Sequence, residues 1–365
     1  MEITKIDKNF AAQKVEENGF LYRDVKEKPF SLEGLAWYEE NEKAYRRLPV
    51  WFTENEINAG AISLSPHTSG VCVRFRSDSK QIMIRATLFA SCDMNHMPRA
   101  GSCGFDSYCR PLNGEWTYNT TVQPGRNDTG VVTKINAIAG RNPEGRLCDW
   151  IINFPLYGGV EQVELGLEEN SILLEPTPHK ISDPILFYGS SITQGGCASR
   201  PGNQYSSMLC RKVNAPQINL GFSGSGMGEI ALAQEIAKLK LSAFVMDYDH
   251  NAPNAEHLQK THEAFFQAIR SVQKDLPIVM MSRCDYKPTA ENDLRREIVR
   301  TTYMNAVRNG DKHVYYIDGE ILFGKNMRDA CTVDGCHPND LGFFRMYKHV
   351  LPVLKKALKE GKGKE

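Results

Sequence analysis

The stretch ILFYGSSITQG, residues 185–195, joins four apolar residues to a glycine, two serines and a short polar segment. Such a run predicts a buried β-strand, a tight turn that uses the conformational freedom of Gly189, and the start of a helix. Ser191 would then be exposed at the end of the strand, where it feels the positive end of the helix dipole. After Pro184 the chain repeats this order of a short apolar strand and a longer helical segment. The alternation is typical of βαβ units in a parallel sheet.

This second part of the chain is predicted to contain five parallel strands and four helices. The strands are Ile185–Tyr188, Gln217–Leu220, Ala243–Tyr248, Ile278–Met281 and Val314–Ile317. The helices are Ile230–Leu239, Glu256–Val272, Asp293–Val307 and Phe343–Leu358. The second helix carries the apolar residues of one face, as a helix that covers a sheet requires: Leu258, Phe265, Ile269 and Val272.

The first half of the chain has a different pattern, in which apolar and polar residues alternate from about residue 60 to residue 175. Alternation with a period of two predicts β-strands with one buried face. Such strands are expected around Val71–Phe75, Ile82–Leu88, Val163–Leu167 and Ile172–Leu174. The turn-prone residues 77–80 predict that the first two of these form a hairpin. Several antiparallel strands with few helices indicate a β-sandwich.

Two domains are expected from the length of the chain, because 365 residues exceed the size at which a single hydrophobic core stops growing. Pro176, Pro178 and Pro184 interrupt both hydrophobic patterns, so the boundary is expected near them. The interpretation is a β-sandwich domain over residues 1–178 and an α/β domain over residues 179–365.

Composition argues against several kinds of partner. Lys plus Arg and Asp plus Glu number 44 each, so the chain has no global positive field that would hold nucleic acid. No apolar stretch approaches the roughly 18 residues of a membrane span, and ten cysteines without a CxxC pair favour reduced thiols. The segment MEITKIDKNF lacks the apolar centre of a signal peptide, so a cytoplasmic location is expected, although a leader removed beforehand would leave the same sequence. The sequence indicates no oligomeric state.

The ends of the predicted strands carry residues suited to acyl transfer. In open parallel sheets, reactive groups gather beyond the carboxyl ends of the strands. Gly224 follows the second strand and can present its N–H to a small negative atom, and the Asn251 amide can donate from the end of the third strand. Asp334 and His337 share a short loop before the last helix, where Asp334 can fix the tautomer of His337. His337 could then accept the proton of Ser191 during nucleophilic attack.

Each of these features also has a simpler explanation. Gly-Ser-Ser after a strand is a common turn, and Asn251 could cap a helix. Only the joint occurrence of these residue types, in order and each at a strand end or sheet-top loop, favours catalysis.

Two cofactor motifs are not met. The glycines at 224, 226 and 228 miss the spacing of a dinucleotide-binding turn. His250, His257 and His262 lack the HExxH spacing of a metal site, so capping or solvent exposure is expected for His257 and His262, and His250 becomes a candidate to line the pocket. The sequence therefore predicts no metal and no organic cofactor.

These strand-end strings resemble, in order, the characteristic blocks of the SGNH/GDSL hydrolase superfamily. By that likeness Ser191 is the nucleophile, its backbone N–H forms the oxyanion hole with Gly224 and Asn251, and Asp334 and His337 complete the triad. The resemblance implies a flavodoxin-like α/β domain with a parallel five-stranded sheet covered by helices on both faces. The chain departs from the family pattern at Ser190, where Asp is usual, and around Asn251, which lacks the flanking glycine and aspartate.

The resemblance extends to a bacterial branch whose catalytic domain follows a jelly-roll-like β-sandwich with a GxDLY signature. Gly104–Tyr108 and Pro155–Val160 resemble strings of this branch. Asp106 and Tyr108 have two readings: a buried hydrogen bond that holds a turn of the sandwich, or substrate binding by a loop that leans over the cleft. The chain is also similar to two-domain carbohydrate acetylesterases.

Together these observations predict a serine esterase acting on small acyl esters, with O-acetyl groups on carbohydrates as the expected substrates. The partner would be a small-molecule or oligosaccharide ester, bound without a cofactor. Two alternatives stay open. One is a lipid, thioester or peptidoglycan acyl hydrolase, because a triad does not specify the group beyond the carbonyl. The other is a non-catalytic carbohydrate-binding protein on this scaffold.

Overall fold

The computed structural model describes residues 15–90, 92–112, 114–124, 133–285, 287 and 289–361. The segment MEITKIDKNF lies outside these residues. Within the described ranges, none of the helices is both long and apolar enough to span a lipid bilayer.

The N-terminal part forms two antiparallel sheets. Its strands are β1 Val15–Glu17, β2 Phe20–Asp24, β3 Ser31–Glu33, β4 Cys72–Ser77, β5 Gln81–Leu88, β6 Phe105–Pro111, β7 Thr117–Val122, β8 Thr133–Arg141, β9 Cys148–Asn153, β10 Val160–Glu168 and β11 Leu173–Leu174, and its helices are α1 Ala59–Leu64 and α2 Arg99–Ser102. One sheet has the order β1-β2-β10-β5-β8 and the other β11-β4-β9-β6-β7, with β3 also paired to β4. Alternate residues of both sheets share one apolar core. This arrangement confirms the predicted β-sandwich.

The predicted hairpin between the strands around residues 71–75 and 82–88 is wrong. β4 pairs with β9 and β11, whereas β5 pairs with β8 and β10 in the other sheet. Phe75 and Ile82 nevertheless face the same core. The chain therefore crosses from one sheet to the other at residues 77–80, and a period of two cannot distinguish that crossover from a hairpin, because both strands bury alternate residues.

The C-terminal part is a parallel sheet covered by helices. Its strands are β12 Ile185–Gly189, β13 Gln217–Gly221, β14 Ala243–Asp247, β15 Ile278–Met281 and β16 Val314–Ile317. Its helices are α3 Ser191–Gln194, α4 Tyr205–Val213, α5 Ile230–Ile236, α6 Ala255–Val272, α7 Ala290–Arg308 and α8 Asp340–Gly361, with short 3-10 helices at Pro201–Asn203, Gly319–Ile321 and Asp329–Cys331. The order β13-β12-β14-β15-β16 is the flavodoxin-like order, which confirms the predicted fold class.

Both faces of this sheet are buried, so its strands are continuously apolar rather than alternating. Ile185 and Phe187 of β12 face one core, which α4 and α8 cover. Leu186 and Tyr188 face a second core, which α5, α6 and α7 cover. The expectation that Val272 lies on the buried face of α6 is wrong, because this last residue of the helix is 63% exposed. Helix α4 was not predicted, because its buried side includes serines that obscure the apolar period.

A segment of the N-terminal half, residues 34–70, packs on the C-terminal domain. Trp37, Leu48, Phe52 and Ile57 belong to the second core of the parallel sheet and not to the core of the sandwich. The polypeptide before residue 179 therefore covers apolar surface of the α/β domain as well as its own.

The buried guanidinium of Arg47 ties this segment to the sheet. Its Nη1 donates to the carbonyl oxygens of Asn219, at 3.2 Å, and Gly221, at 2.6 Å, at the end of β13. Its Nε and Nη2 donate to the carbonyls of His67 and Leu64, and its Cζ lies 4.5 Å from the ring centroid of Phe222. A buried cation is tolerated here because its donors find acceptors on both domains.

Candidate active site

Ser191 is the first residue of α3 and directly follows the turn after β12. The side chain of Ser190 accepts a hydrogen bond from the N–H of Ile192 at 3.1 Å, so Ser190 is the N-cap of this helix. The capping role explains how a serine can occupy the position where the family pattern usually has Asp. The expectation that Ser191 is exposed is wrong: it is only 7% exposed, because the turn after β12 and the catalytic loop enclose it.

Asp334 and His337 occupy one tight loop before α8. The N–H of Val333 donates to the carbonyl of His337 at 3.0 Å and closes this loop. Asp334 Oδ1 accepts the backbone N–H groups of Cys336 and His337 at 2.9 and 2.7 Å. Partial burial opposes ionisation of Asp334, but these hydrogen bonds and the bond from the His337 ring outweigh it and lower its pKa to about 2. The carboxylate is therefore charged at neutral pH.

The structure brings Ser191, His337 and Asp334 into one hydrogen-bonded chain. Ser191 Oγ lies 2.8 Å from His337 Nε2, and His337 Nδ1 lies 2.6 Å from Asp334 Oδ2. The two ring nitrogens thus face a hydroxyl on one side and a carboxylate on the other. This is the arrangement in which a neutral imidazole can take a proton from a serine.

The candidate oxyanion-hole residues lie on neighbouring loops beyond the sheet. Gly224 has a φ of +67°, which favours glycine, and its N–H has no hydrogen-bond acceptor within the described residues. Asn251 Oδ1 accepts the N–H of Gly226 at 3.3 Å, which leaves the amide Nδ2 of Asn251 available as a donor. The N-cap of α6 is Asn254, so the alternative in which Asn251 caps a helix is wrong.

Residues of the sandwich domain hold the nucleophile helix in place. The hydroxyl of Tyr157 donates to the carbonyl of Ser191 at 3.4 Å, and Ser69 Oγ donates to the carbonyl of Gln194 at 2.7 Å. Gln194 Nε2 donates to the carbonyl of Leu156 at 3.1 Å, while its Oε1 accepts the N–H of Ser223 at 2.9 Å. No periodicity in the sequence points to these contacts. Tyr157 lies in the string at residues 155–160, whose resemblance to a known branch implies no role for this residue.

The three histidines 250, 257 and 262 do not form a metal cluster, because each of them contacts a different group. His257 Nε2 bonds to the carbonyl of Met227 at 2.8 Å, and His262 is buried with its Nδ1 2.9 Å from Thr302 Oγ1. The expectation that His262 caps a helix or is exposed is therefore wrong. It lies on the inner face of α6, where a polar ring is tolerated because Thr302 satisfies it.

His250 lies beside the triad between two thiols. Its Nε2 is 3.9 Å from Cys284 Sγ, and its Nδ1 is 3.9 Å from Cys336 Sγ, next to His337. Burial, followed by the positive charge of Arg283, lowers the pKa of His250 well below its ordinary value. His250 is thus a neutral imidazole near the catalytic loop at physiological pH, and its contact with substrate stays a prediction.

Two family models match the two domains. The model of the GDSL-like lipase/acylhydrolase family matches residues 182–355, and the model of GxDLY, the N-terminus of SGNH-hydrolase-type esterases, matches residues 20–173. The chain belongs to the SGNH/GDSL hydrolase superfamily. Its first domain is the GxDLY domain of that branch.

Solved structures share this two-domain architecture. A protein from Bacteroides ovatus assigned as a GDSL-like lipase is 26% identical, with a TM-score of 0.81 over 93% of this chain and 98% of that one. The salicylyl-acyltransferase SsfX3 of a tetracycline biosynthetic pathway is 17% identical, with a TM-score of 0.74 over 93% and 98%. A family two carbohydrate esterase from Clostridium thermocellum, solved with cellohexaose, is 13% identical, with a TM-score of 0.59 over 80% and 94%. None of the curated proteins compared matches the chain.

Asp106 and Tyr108 of this SGNH hydrolase join its two domains. Asp106 Oδ2 accepts hydrogen bonds from Arg200 Nη1 at 2.7 Å and the N–H of Gly202 at 2.9 Å, and its Oδ1 accepts the amide of Asn153 at 2.8 Å. The Tyr108 hydroxyl accepts from Arg200 Nη1 at 2.5 Å. Both residues lie in strand β6 and not in a turn or a loop over the cleft. The Asp106 side chain has no solvent exposure, so of the two readings the structure favours the buried hydrogen bond, which here joins the domains and does not hold a turn.

We expect Asp106→Asn to weaken the contact between the two domains of the hydrolase. The variant keeps the shape of the side chain but leaves the Arg200 guanidinium without its carboxylate. Breaking a buried pair from one side costs several kcal/mol, and because Arg200 keeps some contact with solvent we expect a loss of about 3 kcal/mol. The free energy of unfolding, measured by urea titration, checks this. Glu175→Gln at the exposed pair with Lys28 is the matched control and should change it less. Equal losses in the two variants would contradict the assignment.

Asp247, at the end of β14, is a buried carboxyl beside the nucleophile helix. Its Oδ2 accepts hydrogen bonds from Tyr205 at 2.9 Å and Thr193 at 3.1 Å. Burial and then the neighbouring Asp249 raise the pKa of Asp247 from 3.8 to about 8. We therefore expect the folded hydrolase to hold a proton here that the unfolded chain releases at neutral pH.

This protonation predicts a pH-dependent stability difference between the wild type and Asp247→Asn. A raised folded pKa contributes stability that is present below the ordinary value of 3.8 and is lost as the pH rises toward about 8. The Asn carbonyl can accept the same two hydrogen bonds but does not titrate. The free energy of unfolding of the wild type relative to the variant should fall between pH 4 and pH 8, as measured by urea titration, with Asp183→Asn as the surface control. Parallel curves for the wild type and Asp247→Asn would rule out the buried proton.

Proposed function

We propose that this chain is a serine esterase that removes small acyl groups, chiefly acetyl, from hydroxyls of carbohydrates. The observation that carries the proposal is the unbroken hydrogen-bonded chain from Ser191 Oγ through the His337 ring to Asp334. Membership of the SGNH/GDSL superfamily supports ester hydrolysis in general, while the roles of individual residues and the substrate belong to the proposal.

The proposed reaction proceeds through an acyl-enzyme on Ser191. His337 Nε2 takes the hydroxyl proton as Ser191 Oγ attacks the ester carbonyl, and Asp334 stabilises the imidazolium that forms. The N–H groups of Ser191 and Gly224 and the amide of Asn251 would stabilise the oxyanion. His337 then gives the proton to the leaving alcohol, and a water activated by the same imidazole releases the acid. No step requires a metal or an organic cofactor.

The surroundings of the triad support a polar substrate. The sandwich loop beside the catalytic loop presents the exposed polar side chains Asp93, Asn95 and His96. Such groups suit the hydroxyls of a sugar better than a long acyl chain. Two-domain neighbours include a carbohydrate esterase solved with cellohexaose and an acetyl xylan esterase from Butyrivibrio proteoclasticus, and these likenesses suggest the substrate class by analogy alone.

A second candidate is the hydrolysis of longer acyl esters or thioesters. Val333 is 44% exposed and Leu341 is 39% exposed, and these residues flank the loop that carries His337. Exposed aliphatic side chains at this position could contact a longer acyl chain.

Two substrate panels test the proposal. Acetylated oligosaccharides incubated with the enzyme and analysed by mass spectrometry should lose acetyl groups, and 4-nitrophenyl esters should be hydrolysed fastest at two carbons. A maximum rate at eight carbons or more, with acetylated sugars untouched, would favour the second candidate. If a fluorophosphonate probe fails to label the native protein, the chain is not a serine hydrolase, and a non-catalytic carbohydrate-binding role returns.

A further inference from the structure

A loop of the sandwich domain, residues 92–98, lies against the catalytic loop of the other domain. Met97 anchors it, because this side chain is buried in the core that also contains Leu156, Ile192 and Cys197. Within the loop, Met94 and Met97 form an isolated β-bridge. Asp93 and Arg99 form an ion pair at 3.0 Å across its base. The loop is therefore fixed on the C-terminal domain by a buried side chain and not only by surface contacts.

His96, at the exposed end of this loop, faces the catalytic histidine. The ring centroids of His96 and His337 are 5.7 Å apart, at an interplanar angle of 64°. A ligand atom is offered by each of His96, Asp334 and His337, and these three atoms lie within 4.8 Å of one another. In the described part of the chain this is the one group of His, Cys, Asp and Glu side chains that converges in this way.

We propose that His96, His337 and Asp334 form an inhibitory Zn²⁺ site that joins the sandwich domain to the triad. Two imidazoles and a carboxylate are zinc ligands, whereas Mg²⁺ and Ca²⁺ prefer oxygen. Ligand atoms of a tetrahedral zinc site, with bonds of roughly 2.1 Å, lie about 3.3 Å apart. Asp334 Oδ2 and His337 Nδ1 are already 2.6 Å apart, so these two atoms separate slightly to admit the ion, while the exposed side chain of His96 closes in from at most 4.8 Å. Water would complete the coordination.

Zinc at this position blocks the nucleophile without any covalent change. Asp334 lies on the Nδ1 side of the His337 ring, so a metal held by both residues takes Nδ1 and the ring proton moves to Nε2, which can then no longer accept the proton of Ser191. The same coordination breaks the hydrogen bond between Nδ1 and Asp334 that orients the ring. The inhibition rests on the proposed function, whereas zinc binding does not. The metal acts here as an inhibitor and not as a cofactor, which is consistent with a proposed reaction that needs no metal.

Zinc binding is tested first in a variant that lacks the proposed nucleophile and cannot hydrolyse esters. Isothermal titration of full-length Ser191→Ala with ZnCl2 should show one equivalent bound. Loss of a residue that merely supports a metal ligand costs about 10–100-fold in metal affinity. Loss of the ligand His96 itself should therefore weaken zinc binding at least tenfold in the double variant Ser191→Ala/His96→Ala. Ser191→Ala/His349→Ala, altered at a histidine of α8 outside this group, is the matched control and should bind as before. Equal affinity of the His96 and His349 variants overturns the site.

Activity and labelling provide the second readout. Zinc should suppress ester hydrolysis and fluorophosphonate labelling of the wild type, EDTA should restore both, and His96→Ala should need at least about tenfold more zinc for the same effect. Equal zinc sensitivity of His96→Ala and the wild type overturns the proposal. A wild type that neither hydrolyses esters nor is labelled, but binds zinc through His96, refutes the proposed function and leaves the metal site standing.

Discussion

Ser191→Ala is expected to lower ester hydrolysis by about 10⁴-fold or more while the fold is retained. Removing the nucleophile of a serine triad removes the acyl-enzyme route, and the residual rate comes from substrate binding and the oxyanion hole. The change deletes one hydroxyl whose side-chain partner is His337, so the packing of α3 is preserved. Initial rates with 4-nitrophenyl acetate and labelling by a fluorophosphonate probe measure the loss, and circular dichroism checks the fold.

Ser190→Ala is the matched control for this prediction. Ser190 is buried next to the nucleophile but acts as the N-cap of α3, so its replacement should cost stability of about 1 kcal/mol. The Ser190 variant should still be labelled by the probe at Ser191. If Ser191→Ala hydrolyses esters at a rate near that of the wild type, the proposed mechanism is wrong, whatever the substrate.

The α/β domain alone, residues 179–365, is expected not to fold to a stable native state. In the full chain the side chains of Leu48, Phe52 and Ile57 cover one face of this domain, and Leu156 covers the other. Each such side chain contributes about 1.5–3 kcal/mol on burial. Losing them together removes an amount comparable to the whole stability of a domain, about 5–15 kcal/mol. Near-ultraviolet circular dichroism and binding of a hydrophobic dye measure the outcome.

Point variants in the full chain separate this effect from simple truncation. Phe52→Ala should cost about 3–5 kcal/mol, because it opens a cavity in the shared core. Trp51→Ala, at the neighbouring position that is 45% exposed, is the matched control and should cost much less. Cooperative unfolding of the 179–365 fragment at the urea midpoint of the full chain would contradict the prediction.

Much of the catalytic domain could be predicted because its strands are short, apolar and separated by helices. The predicted strand at residues 185–188 and the observed β12 differ by one residue, and the chain order of the strand ends placed Ser191, Asn251 and His337 at one edge of the sheet. The carboxyl ends of parallel strands must meet at that edge, whatever the packing of the side chains.

The contacts between domains could not be predicted, because they leave no periodic signal. Arg47, Tyr157 and His96 contact the α/β domain through residues far away in the chain. The string 104–108 indicates that Asp106 and Tyr108 matter, but their partner Arg200 lies 94 and 92 residues further along the chain. The wrong prediction of a hairpin at residues 77–80 has the same cause, because the strands that pair with β4 and β5 lie far away in the chain.

The hydrogen bonds from Arg47 to Asn219 and Gly221 close loops of 172 and 174 residues. Contacts of such long sequence separation slow folding, because chain entropy is lost before the contacts form. During synthesis, the segment around Arg47 leaves the ribosome well before the strand that it binds. We therefore expect the contacts of Arg47 with β13 to form late in folding, after most of the polypeptide has been translated.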